Sequence, residues 1–281
     1  MEKVVILLLL INYIAAINPQ ERIGRIINDS EIVSYIYGGQ KVNRGEAPWQ
    51  VAIQIPEFPD FLCGGSIVGN KWVVTSAWCS SGLYATGLQV RSNTLKLSGG
   101  NQIAVKATNP HPNYSEEQHT GDISVLELMS DMPIGKPNCA AINLPKAGKE
   151  PSGGFTVTLT GWGYNSSETP QKFTEYLQYI ELQTVSNRVC QQTIPSLASD
   201  NACALAQRGK CTSFGDRGGP AARKDQNPPF LYGVIITWDY TCDKEIVNTS
   251  PYYEVFTYVS NYTLWIQAIM AGVVPTTPGP I

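Results

Sequence analysis

The sequence predicts an all-β protein with many turns. Val, Ile and Tyr residues occur in short runs, and the segment Ala47–Gln54 alternates apolar and polar positions as a half-buried strand does. The 19 prolines and 25 glycines lie between such runs, as expected for strands joined by turns. With 281 residues the chain is long enough to bury a sizeable core, as one large domain or two small ones.

The charge balance and the residue spacing exclude several classes of partner. Charged residues make up 15% of the chain and the formal net charge is −3, so nothing indicates binding to nucleic acid or to an anionic membrane surface. No His/Cys/Asp/Glu cluster has metal-ligand spacing, and no glycine-rich phosphate loop follows a strand. We therefore expect neither a metal nor another cofactor.

The first residues have the pattern of a secretory signal. The polar start Glu2–Lys3 precedes an apolar run from Val4 to Leu10, and Ala15–Ala16 offers small residues for cleavage. The run is short for a membrane span, so a transmembrane anchor is the weaker alternative, and no later stretch approaches about 18 apolar residues. We predict a signal peptide at residues 1–16 and a secreted protein.

The stretch Cys211-Thr-Ser-Phe-Gly-Asp-Arg-Gly-Gly-Pro220 is the most informative motif. Its glycines allow a tight turn whose backbone N–H groups can face a developing oxyanion. The stretch resembles the Gly-Asp-Ser-Gly-Gly-Pro run that carries the nucleophile of trypsin- and chymotrypsin-like serine proteases. Arg217 stands where that family has its serine. Because a guanidinium is always protonated, it cannot attack a carbonyl.

Two further segments resemble the catalytic motifs of this family. In Trp72-Val-Val-Thr-Ser-Ala-Trp-Cys79 the family has Ala-His-Cys, so Trp78 replaces the general base, and an indole cannot accept a proton. Gly121-Asp-Ile-Ser-Val-Leu-Glu-Leu128 resembles the strand with the orienting aspartate, here Asp122. The three positions lie 44 and 95 residues apart, and the family has gaps of about 45 and about 93 in the same order.

Only the aspartate of the triad survives, so the resemblance implies a protein that is not an enzyme. A buried carboxylate needs hydrogen-bond donors. The indole N–H of Trp78, the hydroxyl of Thr237 and the side chain of Arg217 are the candidates for Asp122.

The resemblance covers roughly residues 36–270 and implies two antiparallel six-stranded β-barrels with a short C-terminal helix. Its organisation is a propeptide at 17–35, an N-terminal barrel at 36–142, a C-terminal barrel with the helix at 143–270, and a Pro-rich tail at 271–281. The segments matched after Ala47–Gln54 are, in order, Cys63–Val68, Trp72–Cys79, Gly121–Leu128, Val157–Gly163, Tyr176–Leu182, Phe230–Trp238 and Val255–Ser260 as strands, and Tyr262–Met270 as the helix.

The segment Ile36-Tyr-Gly-Gly39 resembles the start of the mature enzymes. Asp216 matches the aspartate that receives their new N-terminal amine. A basic residue usually precedes the cut, whereas Tyr35 precedes it here. Maturation is therefore left open, because only a protease of another specificity than trypsin would cut this bond efficiently.

The specificity pocket departs from the family pattern. Gly209 falls at its base, where trypsins carry aspartate, and Lys210 follows; Asp239 and Glu254 fall where small glycines keep the pocket open. These charges either lie in exposed loops or fill the pocket, with Lys210 paired to a carboxylate. The spacer Thr212–Phe214 is two residues longer than that of the family and should displace the oxyanion donors.

The seven cysteines are interpreted through the same resemblance, which implies the disulfides Cys63–Cys79, Cys190–Cys203 and Cys211–Cys242. Cys139 is left over, either as a buried free thiol or as an intermolecular bridge that would dimerise an otherwise monomeric protein. The glycosylation sequons start at Asn28, Asn113, Asn165, Asn248 and Asn261.

His111 and His119 are the only histidines. The segment His111-Pro-Asn-Tyr114 looks like a loop frequent in the family, and we expect His111 to be solvated. His119 lies three residues before Asp122 and is expected to line the old cleft without a nucleophile to serve.

A mite trypsin-like allergen framework with Trp and Arg in the triad resembles the scabies mite inactivated serine protease paralogues. That family is implicated in binding host plasma proteins and in inhibiting complement in the parasite's gut. The resemblance implies an extracellular binding protein, in the gut lumen, with host plasma or complement proteins as partners. A cofactor or decoy that regulates active proteases or their inhibitors is the alternative, and an enzyme of unrecognised chemistry is the third class.

Overall fold

The computed structural model describes residues 39–148, 153–164, 173–206, 210–236 and 252–273. These residues form two closed, antiparallel, six-stranded β-barrels, so the predicted all-β fold is confirmed. The predicted signal peptide, propeptide and start at Ile36 lie outside the described residues, as does nearly all of the Pro-rich tail.

The first barrel has the strand order β2-β3-β4-β7-β6-β5. Its strands are β2 (Gln50–Ile55), β3 (Phe58–Gly69), β4 (Trp72–Thr75), β5 (Gln89–Ser92), β6 (Asn101–Pro110) and β7 (Ser124–Leu128). Val51 and Ile53, two residues apart on β2, are fully buried in its core, as period-two alternation requires.

The second barrel closes because β8 pairs with both β9 and β11. Its strands are β8 (Thr156–Gly161), β9 (Gln178–Val185), β10 (Asn201–Leu205), β11 (Pro220–Arg223), β12 (Phe230–Ile236) and β13 (Tyr253–Tyr258). The core residues Leu159, Tyr232 and Phe256 lie among its fully buried side chains.

The first strand pairs with the second barrel, although the predicted N-terminal barrel at 36–142 includes it. Strand β1 (Gln40–Lys41) pairs with β9, with Gln40 opposite Tyr179. An edge of β9 was free for pairing beside the closed barrel, and sequence order alone does not show which sheet a two-residue strand joins.

The helices are few and short. They are α1 (Asn187–Cys190) and α2 (Thr263–Met270), with 3-10 turns at Ala85–Gly87 and Val259–Asn261. The predicted C-terminal helix is present, and its buried Ile266 packs in the core cluster of the first barrel. The end of the chain thus returns to the first barrel. Within the described ranges, no helix is long and apolar enough to cross a membrane.

Two of the predicted disulfides, Cys63–Cys79 and Cys190–Cys203, are formed. Cys211 is also disulfide-bonded, and Cys242 lies outside the described residues. Cys139 is a free thiol with 0% exposure in the first core. This agrees with the buried-thiol interpretation, because a sulfur without solvent access cannot bridge to a second chain.

The prediction of a solvated His111 is wrong. Its side chain is only 6% exposed and contacts the rings of Tyr262 and Trp265 edge-on, with centroid distances of 4.9 Å to each. Burial lowers the pKa of His111. The C-terminal helix, more than 150 residues later in the chain, covers this histidine. Of the sequon asparagines, Asn261 is exposed and Asn113 partly so; the other three lie outside the described residues.

Candidate functional site

The two barrels meet at a close backbone contact between Gly64 of β3 and Gly219. A Cβ atom on Gly64 would lie 2.6 Å from the Gly219 Cα, so only glycine fits there. The Gly64 N–H donates to the Arg217 carbonyl at 2.7 Å. Gly218 has φ +82°, which continues the tight turn. This contact places the Arg217 turn of the second barrel against the first.

Asp122, just before β7, is the centre of the cluster at this junction. Its side chain is 2% exposed. One carboxylate oxygen, Oδ1, accepts hydrogen bonds from the Ser76 hydroxyl at 2.5 Å and from the Trp78 backbone N–H at 2.9 Å. Both donors lie on the turn after β4, which the Cys63–Cys79 disulfide ties to β3. The first barrel therefore supplies two of the donors.

Arg217 supplies the third donor from the second barrel. Its Nη2 donates to Asp122 Oδ2 at 2.6 Å in an ion pair, and its guanidinium carbon lies 4.7 Å from the centre of the Trp78 ring. This distance suits a cation–π contact. The Arg217 side chain is 18% exposed. Arg217 thus contacts both Asp122 and Trp78.

The structure brings Trp78, Asp122 and Arg217 together, as the motif spacing indicates. Of the donors considered for Asp122, Arg217 binds it, and Trp78 contributes its backbone N–H. Thr237 lies outside the described residues. Ser76 was missed, although it lies only two residues before Trp78 on the same turn, because nothing in the motif comparison assigns it a role.

The long spacer before Gly215 folds inward rather than into solvent. Thr212 is 1% exposed, and it binds the buried Glu254 of β13 with both its backbone N–H, at 2.8 Å, and its hydroxyl, at 2.5 Å. Glu254 is therefore not the carboxylate that pairs with Lys210, and Asp239, the other candidate, lies outside the described residues. Lys210 is partly exposed and forms no ion pair with Glu254. Glu254 itself is only 2% exposed, so it fills interior space.

Ser213, the next spacer residue, binds Asp216. Asp216 Oδ2 accepts the Ser213 N–H at 2.7 Å and the Ser213 hydroxyl at 2.8 Å, while Oδ1 accepts the Gly163 N–H at 2.9 Å. Burial, together with a smaller contribution from the nearby Glu254, raises the pKa of Asp216 to about 7, although these three hydrogen bonds lower it. Burial also raises the pKa of Glu254. The carboxylate that matches the family's acceptor of a new N-terminus is thus bound by internal donors.

Phe214, the last spacer residue, belongs to an aromatic stack. Tyr164 and Phe173 stack with ring centres 4.7 Å apart, and Phe214 lies 5.8 Å from Tyr164. The Phe173 ring also covers Gly215, where a Cβ would lie 2.7 Å from it. Gly215 has φ +96°, a conformation that favours glycine. The stack therefore packs against the turn that the resemblance expects to carry oxyanion donors.

The backbone of His119 has an unusual conformation and accepts a hydrogen bond from a distant side chain. It has φ +53°, and its carbonyl accepts a hydrogen bond from the Asn201 side chain at 3.3 Å.

No general base lies next to Asp122 among the groups that bind it. These groups are the Ser76 hydroxyl, the Arg217 guanidinium and the Trp78 backbone N–H, none of which accepts a proton from a nucleophile. In the part of the chain that the structure describes, no three His, Cys, Asp or Glu side chains could hold a metal ion. Gly209, Asp239 and Ile36 lie outside that part.

Comparison with known proteins agrees with this architecture. A family model described as trypsin matches residues 36–266. The chain belongs to the trypsin family. It is 32% identical over 274 residues to trypsin Blo t 3 of Blomia tropicalis, covering 94% of this chain and 97% of that one. It is 31% identical over 242 residues to trypsin Tyr p 3.0101 of Tyrophagus putrescentiae, covering 83% and 79%.

Among solved structures, the fold of this trypsin homologue matches that of the scabies mite inactivated protease paralogue S-D1. The TM-score is 0.72 at 22% identity, with 87% of this chain and 100% of the other covered. At this identity the match shows the shared two-barrel fold. What the cluster of Trp78, Asp122 and Arg217 can do chemically depends on the residues of this chain and not on this match.

Replacing Arg217 by Met should destabilise the protein by about 2–4 kcal/mol, because it leaves the buried Asp122 charge without its cation. The double variant Arg217→Met/Asp122→Asn should recover much of this loss. Urea unfolding at neutral pH measures both. Lys106→Met is the control, since it breaks an ion pair whose lysine is 55% exposed and should cost less than about 1 kcal/mol. Equal effects of Arg217→Met and the control would contradict the assigned role of the ion pair.

Asp216 should make the protein less stable as the pH rises. Its pKa is about 7 in the folded state and about 3.9 when unfolded, so the folded state binds more protons between these values. Its contribution is present in full below about pH 4 and is lost as the pH rises to about 7. Unfolding free energies measured by urea from pH 4.5 to 8.5 should therefore fall more steeply for the wild type than for Asp216→Asn.

His111 titrates in both proteins of that comparison, so its contribution cancels in the difference. Glu254 interacts with Asp216, so the difference reports the two coupled carboxyls together. The lowered pKa of His111 alone would give the opposite slope, with stability rising towards pH 6.5. Parallel curves for the wild type and Asp216→Asn would show that the Asp216 pKa is not raised.

Proposed function

We propose that this trypsin-family protein is a catalytically inactive, secreted pseudoprotease that acts as a binding protein. The observation that carries the proposal is the ion pair of Arg217 with Asp122, because it fills the nucleophile position with a cation. A protease of this family needs a hydroxyl there and a base beside it. Trp78, whose ring contacts the guanidinium, occupies the place of the base.

A second, independent feature supports inactivity. The inserted Thr212–Phe214 segment is bound by Glu254, Asp216 and the aromatic stack, so it is fixed in its inward position. The buried Glu254 takes space where the resemblance places an open specificity pocket. Substrate positioning and oxyanion stabilisation would both be impaired even with an intact triad.

The proposed setting is extracellular. The apolar start of the chain has the pattern of a signal peptide, and the Cys63–Cys79 and Cys190–Cys203 disulfides suit an oxidising compartment. The fold is similar to that of the scabies mite inactivated protease paralogue S-D1, and the resemblance to such paralogues suggests a protein that meets host fluid. The proposed partners are host plasma proteins, with complement components first among them.

The binding face is proposed to lie outside the old cleft. Inside the cleft the charged groups already have partners: Arg217 binds Asp122, and Thr212 binds Glu254. A partner would have to break these contacts before gaining its own. The outer loops and barrel surfaces carry no such cost.

The purified protein should not hydrolyse peptide or ester substrates and should not react with a fluorophosphonate. Labelling requires an activated nucleophile, which the cluster does not provide. Mass spectrometry after incubation with the reagent measures this, with an active trypsin as the positive control. Stoichiometric labelling at any residue would contradict the proposal.

Immobilised protein should capture complement components from host plasma and reduce complement activation in a haemolysis assay. Alanine substitution of Trp78, His119 and Arg217 in turn should leave the captured amount within about twofold in variants that remain folded, whereas surface-loop substitutions should reduce it. Capture of proteases or protease inhibitors without complement components would favour the cofactor or decoy function. Loss of capture on changing the three cleft residues would contradict the proposed location.

Restoring the triad should not restore an ordinary protease. Trp78→His with Arg217→Ser, produced with its N-terminus at Ile36, regains a base and a nucleophile beside Asp122. The inserted segment and Glu254 remain, and loss of one oxyanion donor alone costs a factor of about 10² to 10³ in rate. Turnover on a broad peptide library should stay more than about tenfold below that of an active trypsin measured in parallel. Turnover within about tenfold of the active trypsin would contradict the assignment of a filled pocket.

A further inference from the structure

A cavity of about 310 Å³ opens on the second barrel, separate from the degenerate triad. It lies where β1 and β9 meet the residue that follows β11, and its lining residues are Val42, Glu46, Tyr179, Glu181 and Lys224. None of these residues contacts Asp122 or Arg217. The volume is at the lower end of the range of ligand pockets, about 300–1,000 Å³.

Lys224 brings a positive charge to this cavity without a paired carboxylate. Among the described residues it forms no ion pair, and its ammonium lies 5.9 Å from the centre of the Trp49 ring. The side chain reaches solvent at the open side of the cavity, yet enough of it is enclosed for burial to lower its pKa. The carboxylates of Glu46 and Glu181 raise this pKa in turn, so they lie near enough to act on the ammonium.

The two carboxylates differ in what they bind. Glu46 is held by Asn43, whose backbone N–H donates at 2.9 Å and whose side-chain amide donates at 3.0 Å. Glu181 is exposed and has no hydrogen bond or ion pair within the described ranges. Lys224 and Glu181 thus line one cavity with opposite, unpaired charges that lie beyond ion-pair distance from each other.

We propose that this cavity binds a small zwitterion, an α-amino acid with free amino and carboxyl groups. The ligand carboxylate pairs with Lys224 and the ligand ammonium with Glu181, so each unpaired charge gains a partner. Val42 and Tyr179 offer apolar surface to the ligand side chain. The cavity holds the volume of about ten water molecules, which is sufficient for an amino acid.

Ligands of a single charge fit this arrangement less well. A simple anion would gain Lys224 but meet the repulsion of Glu46 and Glu181. A simple cation would gain the carboxylates but meet the repulsion of Lys224 and leave that ammonium without a partner. Only a ligand that carries both charges satisfies all of the lining groups. This site is independent of the proposed complement binding, and either could fail without the other.

Three probes test the charge requirement on the full-length secreted protein: L-leucine, N-acetyl-L-leucine, which lacks the ammonium, and L-leucinamide, which lacks the carboxylate. NMR titration should show saturable binding of L-leucine with a Kd in the millimolar range, about 1–10 mM, as expected for a small ligand in a half-open site. Each blocked probe should bind at least about tenfold more weakly, because it loses one charge-assisted contact.

The variants test which residue binds which charged group of the ligand. In Glu181→Gln the advantage of L-leucine over N-acetyl-L-leucine should disappear, and in Lys224→Gln its advantage over L-leucinamide should disappear. Lys136→Gln, which changes an exposed lysine outside the cavity, is the control and should bind as the wild type does. Equal binding of the three probes, no saturable binding of L-leucine, or unchanged binding by Lys224→Gln would each overturn the proposal.

Discussion

A negative charge buried between two barrels is the constraint on which the site depends. The Asp122 carboxylate is enclosed at the junction, and a carboxylate there must be paired or the fold loses stability. The trypsin family meets this need with its histidine and nearby donors. Here an arginine from the other barrel takes over, and Trp78 provides a flat ring for the guanidinium. Both substitutions therefore form one contact, and the charge balance survives the changes in the triad.

The inserted segment Thr212–Phe214 also binds buried carboxylates. Glu254 and Asp216 are further carboxylates in the interior, and each accepts hydrogen bonds from the spacer that this chain has lengthened, through Thr212 and Ser213. The segment thereby supplies donors to buried carboxylates. In this way the lengthened spacer is part of what stabilises the fold.

Several features follow from short stretches of sequence. Motifs that resemble those of the trypsin family, such as the run that contains Arg217, predicted the two barrels, the meeting of Trp78, Asp122 and Arg217, and the disulfides Cys63–Cys79 and Cys190–Cys203. Strand ends were less well placed. Segment Ala47–Gln54 was predicted as a strand, and β2 runs from Gln50 to Ile55, because the alternating pattern does not show where pairing with β3 begins.

Through its resemblance to the trypsin family, the sequence by itself thus indicated the two-barrel fold and the cluster of Trp78, Asp122 and Arg217. Only the tertiary structure decided which groups satisfy the buried charges. Thr212 meets Glu254 from 42 residues away, and the C-terminal helix covers His111. These partners meet only because distant segments approach each other in the fold. The residue type alone does not show whether a polar side chain ends in solvent or beside a buried carboxylate.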